Sequence, residues 1–345
     1  MEHTASVADP TWLPNRPRRN RVSAGVRNLV RETSLAPQHL VLPLFVQEGT
    51  DKLDPINAMP GCYRSSLDHT LRIAKEAYEQ GVSGVALFPV IEDALKSPDG
   101  KESWNEDGLL QRCVRALKKE LPDLVVITDV ALDPYSSDGH DGVLREDGVI
   151  DNDATVPLLC RMAVAQGKAG ADVVAPSDMM DGRVGAIRSA LDEAGLSHVL
   201  ICSYCVKYAS SFYGPFREAL DSAPRSGDKK TYQMDPGNVR EALRELEADE
   251  AEGADWVMVK PGLPYLDVVK TVREHTSLPV AAYHVSGEFA MLKAAAEKGW
   301  INYEACLLES LYGLRRAGAD LIFTYGAIDA AKVLNEDRKK ARNYC

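Results

Sequence analysis

The chain has 345 residues, with 40 Lys and Arg against 51 Asp and Glu, which gives a net charge of −11 at pH 7. This acidic balance argues against a general binder of nucleic acid or of anionic membranes. No apolar run approaches the roughly 18 residues that a membrane span needs, and the N-terminus lacks the apolar core of a secretory signal.

The first 38 residues do not have the pattern of a core segment. They combine several prolines and the basic cluster at 16–21 with Trp12 and a short amphipathic stretch at 26–30. This composition predicts an N-terminal arm over residues 1–38 that packs on a neighbouring subunit, and a disordered tail is the alternative.

From residue 39 onward, short runs of branched aliphatic residues alternate with segments of helical period. The predicted strands are 39–46, 84–89, 125–132, 172–177, 198–204, 255–261, 279–286 and 320–325. Gly-Ala-Asp recurs at 170–172, 253–255 and 318–320, where glycine ends a helix before a strand begins. Eight alternating units indicate a (β/α)8 barrel over residues 39–334. An open doubly wound sheet is the alternative, although neither glycine-rich nucleotide motif is present.

Lys260 ends the apolar run 255–259, which predicts a strand buried on both faces. Burial disfavours the ammonium form, lowers the pKa and frees the amine to attack a carbonyl. A single buried lysine is equally consistent with a satisfied salt bridge. Lys207 follows the neighbouring fifth strand, and two close lysines raise each other's cost of being charged. The pair therefore predicts Schiff-base chemistry.

Other chemically capable side chains fall at the C-terminal ends of the predicted strands, where barrel active sites lie. These are Asp129, Ser177, Tyr204, Tyr283, Ser286 and Tyr325. The loop after the fifth strand carries Phe212, Arg217, Lys229 and Gln233 among glycines and further aromatic residues. This mixture predicts a lid that closes over an anionic substrate, since a solvated basic loop would not need the aromatic residues.

The loop after the third strand is rich in aspartate, with Asp133 and Asp141 beside proline and glycine. Carboxylates bind hard cations such as Mg²⁺, but they are also common turn formers. The residues alone leave both interpretations open.

The segment around Lys260 resembles the signature of the porphobilinogen synthase family, G-x-D-x-(two aliphatics)-[IV]-K-P-[GSA]-x-x-Y. The matching positions are Gly253, Asp255, Val257, Met258, Val259, Lys260, Pro261, Gly262 and Tyr265. The resemblance also covers 16–19, 175–182 and 316–320, and thus nearly the whole chain.

This resemblance implies a lyase with a (β/α)8 barrel that condenses two 5-aminolevulinate molecules into porphobilinogen, with loss of two waters, in heme and chlorophyll biosynthesis. It implies that Lys260 and Lys207 each form a Schiff base with one substrate. Asp129 and Ser177 match polar residues near the reacting atoms.

The resemblance also implies where the substrate carboxylates are held. Arg217 and Lys229 match lid cations that hold one carboxylate, while Ser286 and Tyr325 match the groups that hold the other. The remaining expected substrate-binding residues are Tyr204, Phe212, Tyr283 and Gln233.

Zinc-dependent members of the family have three cysteines in the loop after the third strand, and here those positions are Ala131, Asp133 and Asp141. Zinc favours sulfur and nitrogen ligands, so no zinc site is expected. The aspartate version resembles magnesium-responsive bacterial and plastid enzymes, which implies an allosteric Mg²⁺ with Glu245 at a subunit contact. Whether Asp133 and Asp141 also hold an ion stays open.

The resemblance implies a homo-octamer built through the N-terminal arms and a plastid location, with the cytoplasm as the alternative. Two features depart from the family. Gly326 stands where relatives usually have a bulky aromatic residue, which predicts a looser corner of the site. The tail 335–345 runs past the usual end and is either disordered or part of a subunit contact.

Two other functions remain as alternatives. A class I aldolase shares the barrel and one Schiff-base lysine, but phosphosugar aldolases need a phosphate nest after strands seven and eight, where 285–288 and 325–327 offer only a weak one. A catalytically inactive scaffold would have lost the polar residues at the strand ends, and all of them are present.

Overall fold

The structure, a computed structural model, describes residues 15–220 and 224–342, with side chains up to residue 337. The chain divides into two units, Met1–Ser34 and Leu35–Cys345. The described part of the first unit contains a 3-10 helix, Pro17–Arg21, and helix α1, Ala24–Leu29. Ser23 begins α1 as an N-cap, because its hydroxyl accepts a hydrogen bond from the Val26 N–H at 3.2 Å.

Eight parallel strands form a closed barrel in the second unit. They are β1 (Leu40–Val46), β2 (Gly84–Pro89), β3 (Val125–Val130), β4 (Val173–Pro176), β5 (Leu200–Lys207), β6 (Trp256–Lys260), β7 (Val280–His284) and β8 (Leu321–Thr324). Each strand pairs with its neighbours in chain order, and β8 pairs with β1 to close the sheet. The predicted (β/α)8 barrel is confirmed, and the open sheet is excluded.

Helices lie around the barrel and follow the strands. They are α2 (Leu67–Glu79), α3 (Leu109–Glu120), α4 (Asn152–Ala169), α5 (Arg183–Glu193), α6 (Gly214–Leu220), α7 (Glu241–Ala251), α8 (Leu266–His275), α9 (Ser286–Glu297), α10 (Tyr303–Ala317) and α11 (Ala327–Arg342). Two short pairs of antiparallel strands lie in the loops: Leu53–Pro55 with Tyr63–Ser65, and Val143–Leu144 with Ile150–Asp151.

Two features of the sequence determine where these elements lie: the apolar runs that form buried strands and the glycines that end helices. The strands are buried along almost their whole length, as expected for a parallel sheet covered on both faces. Gly170, Gly253 and Gly318 follow helices with φ of 104°, 97° and 126°, a left-handed conformation that an L side chain rarely adopts. The predicted role of the Gly-Ala-Asp repeats as helix ends is therefore confirmed.

Two strand boundaries differ from the prediction in a way that matters for the site. The fifth strand was predicted to end at Tyr204 but continues to Lys207, because Lys207 pairs with Lys260 across a shift in register near Val257 and Val259. The seventh strand ends at His284, so Ser286 begins α9 rather than ending the strand.

The C-terminal segment is helical as far as it is described. Helix α11 passes through the predicted border at residue 334, and the Asn335 side-chain amide donates to the Gln80 carbonyl at 3.0 Å. Lys332 pairs with Glu76 on α2 at 2.7 Å. Residues 335–342 thus continue a helix that packs on the barrel, and residues 343–345 lie outside the described part. Within the described residues, no helix has both the length and the apolar character to cross a membrane.

Candidate active site

The structure brings the two lysines together. Lys207 and Lys260 are the last residues of the neighbouring strands β5 and β6 and form an aligned pair in the ladder. The Tyr208 N–H donates to the Lys260 carbonyl at 3.0 Å, which continues the ladder past both residues. Their exposed fractions are only 5% and 6%, so both amines face the interior of the barrel mouth.

Lys260 is surrounded by aromatic rings. Its Nζ lies 4.8 Å from the ring centre of Tyr283 and 5.1 Å from the rings of Tyr204, Tyr213 and Phe216. In the described part of the chain no carboxylate lies within ion-pair distance of this nitrogen. Burial, followed by the positive charge of Lys207, lowers the pKa of Lys260 to about 7. A substantial fraction of this amine is therefore neutral and nucleophilic at neutral pH.

Lys207 has a different environment. Its Nζ is 3.1 Å from Asp141 Oδ2 and also donates to the Ser177 backbone carbonyl. The salt-bridge interpretation left open by the sequence thus applies to Lys207, whereas Lys260 is the amine without an ionic partner. The two lysines therefore lie side by side but differ in their electrostatic environment.

Asp141 forms ion pairs with both Lys207 and the lid residue Lys229. It is fully buried, and its Oδ1 lies 2.5 Å from Lys229 Nζ, which is also 3.3 Å from Asp133 Oδ2. Burial alone would raise the pKa of Asp141, but the ammonium groups of Lys207 and Lys229 outweigh it and hold that pKa well below its usual range. The predicted possible metal ligands Asp133 and Asp141 are therefore paired with lysines, which would compete with any cation for their oxygens.

Asp129 is the second-to-last residue of β3, and its carboxyl oxygen Oδ1 is buried with no hydrogen-bond partner among the described residues. Burial and the charge of Asp133 raise its pKa to about 7, against the lowering effect of the Ser177 hydroxyl and of both lysines. A carboxyl group with this pKa can take up and release a proton at neutral pH. Ser177 follows β4, and its carbonyl contacts Lys207 as described above.

The lid segment covers the lysines. Tyr213 donates through its hydroxyl to the Lys260 carbonyl at 3.1 Å, and Phe216 on α6 packs against Phe45 and Phe88. The sequence analysis missed Tyr213 and Phe216 as site residues. The available signal was the aromatic density of the loop in which both occur.

Ser286 is engaged by the lid. Its hydroxyl accepts from the Phe216 N–H at 3.1 Å and donates to the Phe212 carbonyl at 3.3 Å. A Cβ on the neighbouring Gly287 would lie 2.6 Å from the Phe212 carbonyl oxygen, so only glycine permits this approach. Ser286 must therefore reorient its hydroxyl before it can bind a carboxylate.

Tyr325 lies at the end of β8, and its hydroxyl is 3.1 Å from that of Tyr283. The looser corner predicted from Gly326 is wrong. A Cβ at Gly326 would lie 2.8 Å from the Leu307 side chain and 3.2 Å from the Tyr303 hydroxyl, so residues of α10 already fill this space.

The lid cations and both lysines line one small cavity of about 20 Å³. Its lining residues are Asp133, Lys207, Tyr213, Phe216, Arg217, Lys229, Gln233 and Lys260. The predicted substrate-binding residues Arg217, Lys229 and Gln233 thus meet the lysine pair. A cavity of this volume holds little more than a water molecule, so the lid must open to admit a substrate.

Glu245 is not part of this group. It lies on α7, half-buried, at a second cavity of about 410 Å³ that also contacts Asn152, Asp181 and Glu241. Burial raises its pKa. Carboxylate and amide oxygens are the donors that Mg²⁺ accepts, with several retained waters. The lining supplies both kinds of oxygen, but the carboxylates of Glu245, Asp181 and Glu241 do not converge on one point. Gln233 is the residue that contacts both cavities.

Cys202 and Cys205 are both buried on β5, and burial raises the pKa of each thiol. Cys205 donates to the Met258 carbonyl at 3.7 Å. Both thiols are therefore poor metal ligands, since the thiolate is the coordinating form.

Together these features define a class: a (β/α)8-barrel enzyme whose centre pairs a free lysine with a salt-bridged one beneath an aromatic, cationic lid. The chain belongs to the delta-aminolevulinic acid dehydratase family, which matches residues 14–333. The resemblance seen around Lys260 is thereby confirmed and is favoured over the class I aldolase.

Relatives and a solved structure agree with this assignment. The chloroplastic delta-aminolevulinic acid dehydratase of Glycine max is 61% identical over 95% of this chain and 79% of the relative. The enzyme of the same name from Oryza sativa subsp. japonica is 61% identical over 94% and 76%. The crystal structure of delta-aminolevulinic acid dehydratase (porphobilinogen synthase) from Toxoplasma gondii ME49, in complex with the reaction product porphobilinogen, is 56% identical with a TM-score of 0.94, covering 96% of this chain and 95% of that chain.

Proposed function

We propose that this chain joins two molecules of 5-aminolevulinate into porphobilinogen, with loss of two waters, in tetrapyrrole biosynthesis. The observation that carries the proposal is the aligned pair of Lys207 and Lys260 at one small cavity. A condensation of two identical ketones needs two activated carbonyls held side by side, and two neighbouring amines supply them as iminium ions.

The two amines differ in when they can react. Lys260, with its pKa lowered to about 7, is free to attack a ketone at once. Lys207 must first leave Asp141 and lose a proton. We therefore assign the first Schiff base to Lys260 and the second to Lys207, with Asp129 as the nearby group that takes up and releases protons.

The proposed carboxylate contacts follow from the same geometry. Arg217 and Lys229 line the cavity from the lid and would hold one substrate carboxylate. Ser286 and Tyr325 would hold the other, on the side where Phe216 and Tyr283 cover Lys260. Tyr204, Phe212, Tyr283 and Gln233 complete the wall, and the aromatic cover excludes water from the iminium ions.

Borohydride reduction in the presence of 5-aminolevulinate tests the proposal. Peptide mass spectrometry should find reduced adducts on Lys260 and Lys207, and a colour assay should detect porphobilinogen. Lys260→Met should abolish product, whereas Lys119→Met, an exposed lysine on α3, should leave it unchanged. An adduct on Lys260 alone without porphobilinogen would favour an aldolase, and no adduct on either lysine would contradict the proposal.

We also propose an allosteric Mg²⁺ at Glu245, supported by the oxygen-rich lining of its cavity. Because that cavity shares Gln233 with the lysine site, an ion there would act through the lid. Glu245→Gln should remove stimulation by Mg²⁺ while leaving the basal rate within twofold, and Glu297→Gln on α9 is the matched control. Stimulation that survives in E245Q would move the ion elsewhere, with Asp133 and Asp141 as the next candidates.

The assembly is proposed to be a homo-octamer built through the N-terminal arms, in a plastid. Supporting the first point, Leu29 in the arm unit is 87% exposed and Val22 is 73% exposed. Supporting the second, the curated relatives from Glycine max and Arabidopsis thaliana are named chloroplastic. A fluorescent fusion of the full-length gene product should accumulate in plastids, and a cytoplasmic signal would contradict this location.

A further inference from the structure

Glu288 on α9 is a buried acid that the proposed reaction does not use. None of its surface is exposed, and in the described part of the chain no Lys, Arg or His lies within ion-pair distance of it. A carboxylate without a cation is costly to bury unless hydrogen bonds satisfy its oxygens. Burial accordingly raises the pKa of Glu288 to about 7, against the effect of its backbone donors.

The partners of Glu288 are three backbone N–H groups from two different loops. Oε2 accepts from Val285 at 2.7 Å, which caps the start of α9, and from Gly262 at 3.4 Å. Oε1 accepts from Leu263 at 2.6 Å. One carboxylate thus bridges the loop after β6 and the loop after β7.

These loops carry two of the proposed substrate contacts. Gly262 and Leu263 come two and three residues after Lys260, and Val285 directly precedes Ser286. Packing reinforces the bridge, because a Cβ at Gly262 would lie 2.9 Å from the Tyr283 carbonyl oxygen. The distance between the Lys260 amine and the Ser286 hydroxyl therefore depends on how these two loops are held together.

We propose that Glu288 is a positioning residue that fixes Lys260 relative to Ser286, so that one substrate can form its Schiff base and place its carboxylate at the same time. This inference rests on the proposed function. A carboxylate is required because both of its oxygens accept. A glutamine of the same shape would turn an amide N–H toward the Leu263 or Val285 N–H and lose at least one of the three bonds.

The test measures the concentration of 5-aminolevulinate that half-saturates the borohydride adduct on Lys260, together with the thermal midpoint. In Glu288→Gln the half-saturating concentration should rise about tenfold, the effect of losing one hydrogen bond to a charged group. Glu288→Asp keeps both oxygens but is one methylene shorter, so it should retain the cap on Val285 and still show the rise.

Two controls separate positioning from stability. Asn302→Ala removes the side chain that caps α10 through the Ala305 N–H, and it should lower the thermal midpoint without moving the half-saturating concentration. Glu297→Gln, at the exposed end of α9, should change neither quantity.

The outcomes are distinct. If E288Q folds and loses thermal stability while its half-saturating concentration stays at the wild-type value, Glu288 is only a helix cap and the inference is overturned. If E288Q does not fold, E288D decides by the same criterion. Absence of any Lys260 adduct in the wild-type chain would instead refute the proposed function.

Discussion

At the scale of single residues, the site works by giving two identical side chains opposite environments. Four aromatic rings surround the Lys260 amine, and among the described residues no carboxylate lies within ion-pair distance of it. Lys207, in contrast, lies 3.1 Å from Asp141. The strand pattern predicted that two lysines would meet, because strand ends of a parallel barrel share one rim. It could not predict which lysine is salt-bridged, since Asp141 lies 66 positions away in sequence and reaches Lys207 only in the folded chain.

The pH dependence of trapping should show this difference. The Lys260 adduct should form slowly below pH 7 and faster as the pH rises through about 7, because the amine loses its proton there. Lys207→Met removes the neighbouring positive charge, so it should raise the Lys260 pKa and move the midpoint to higher pH. Initial rates of adduct formation across pH 5–10 measure both. A wild-type midpoint near 10, the value of an ordinary lysine, would contradict the assignment.

The aromatic cover should contribute to the same shift. Phe216→Ala removes one of the four rings around the Lys260 amine and admits water to it, so the midpoint of trapping should rise by about one pH unit, which leaves roughly fivefold less neutral amine at pH 7. Phe216→Leu keeps an apolar side chain of similar reach and should stay near the wild-type midpoint. Equal midpoints in F216A and wild type would show that the ring does not desolvate Lys260.

At the scale of elements, the lid is joined to the barrel by charge and by packing. Lys229 bonds to Asp133 and Asp141, while α6 rests on Ser286 and Gly287 at the start of α9. The composition of the loop predicted a lid with cations. It did not reveal that Lys229 is anchored to Asp141, nor that Glu288 bridges the loops after β6 and β7, because these contacts join segments that are distant in sequence.

Lys229 and Lys230 offer a matched pair for testing the anchor. Lys229 is buried against two aspartates, whereas the Lys230 amine is exposed and lies 3.7 Å from Asp228. Lys229→Met removes the cation paired with Asp133 and leaves Asp141 with Lys207 alone. At a cost of about 3 kcal/mol, kcat/KM should fall roughly hundredfold. Lys230→Met should remain within about twofold. Steady-state kinetics with 5-aminolevulinate, together with limited proteolysis of 224–233, would measure both effects.

Similar losses of kcat/KM in K229M and K230M would contradict a specific role of Lys229 in anchoring the lid. Increased cleavage of the segment in K229M but not in K230M would confirm that the ion pairs hold the lid closed.

At the scale of the whole molecule, the barrel could be predicted from the sequence. The assembly of several chains could not be derived from the structure of a single chain. Every barrel strand was found because burial on both faces gives it a continuous apolar run, and the glycines at 170, 253 and 318 end the helices that precede three of them. The short strands of the two antiparallel pairs, which are mostly exposed or half-buried, were not predicted. The arm is different. Helix α1 has six residues and no buried side chain, and a helix of this length needs packing contacts to be stable.

The arm should therefore be stabilised by another subunit, and charge placed on its apolar face should weaken the assembly. Leu29→Asp puts a carboxylate on a side chain that is 87% exposed in the single chain, where it costs little unless a partner buries it. Native mass spectrometry should show the proposed octamer of the wild type replaced by smaller species in L29D. Asn28→Asp adds the same charge at the neighbouring exposed position and should keep the wild-type mass. Identical masses for L29D and wild type would show that this face of the arm lies outside the subunit contact.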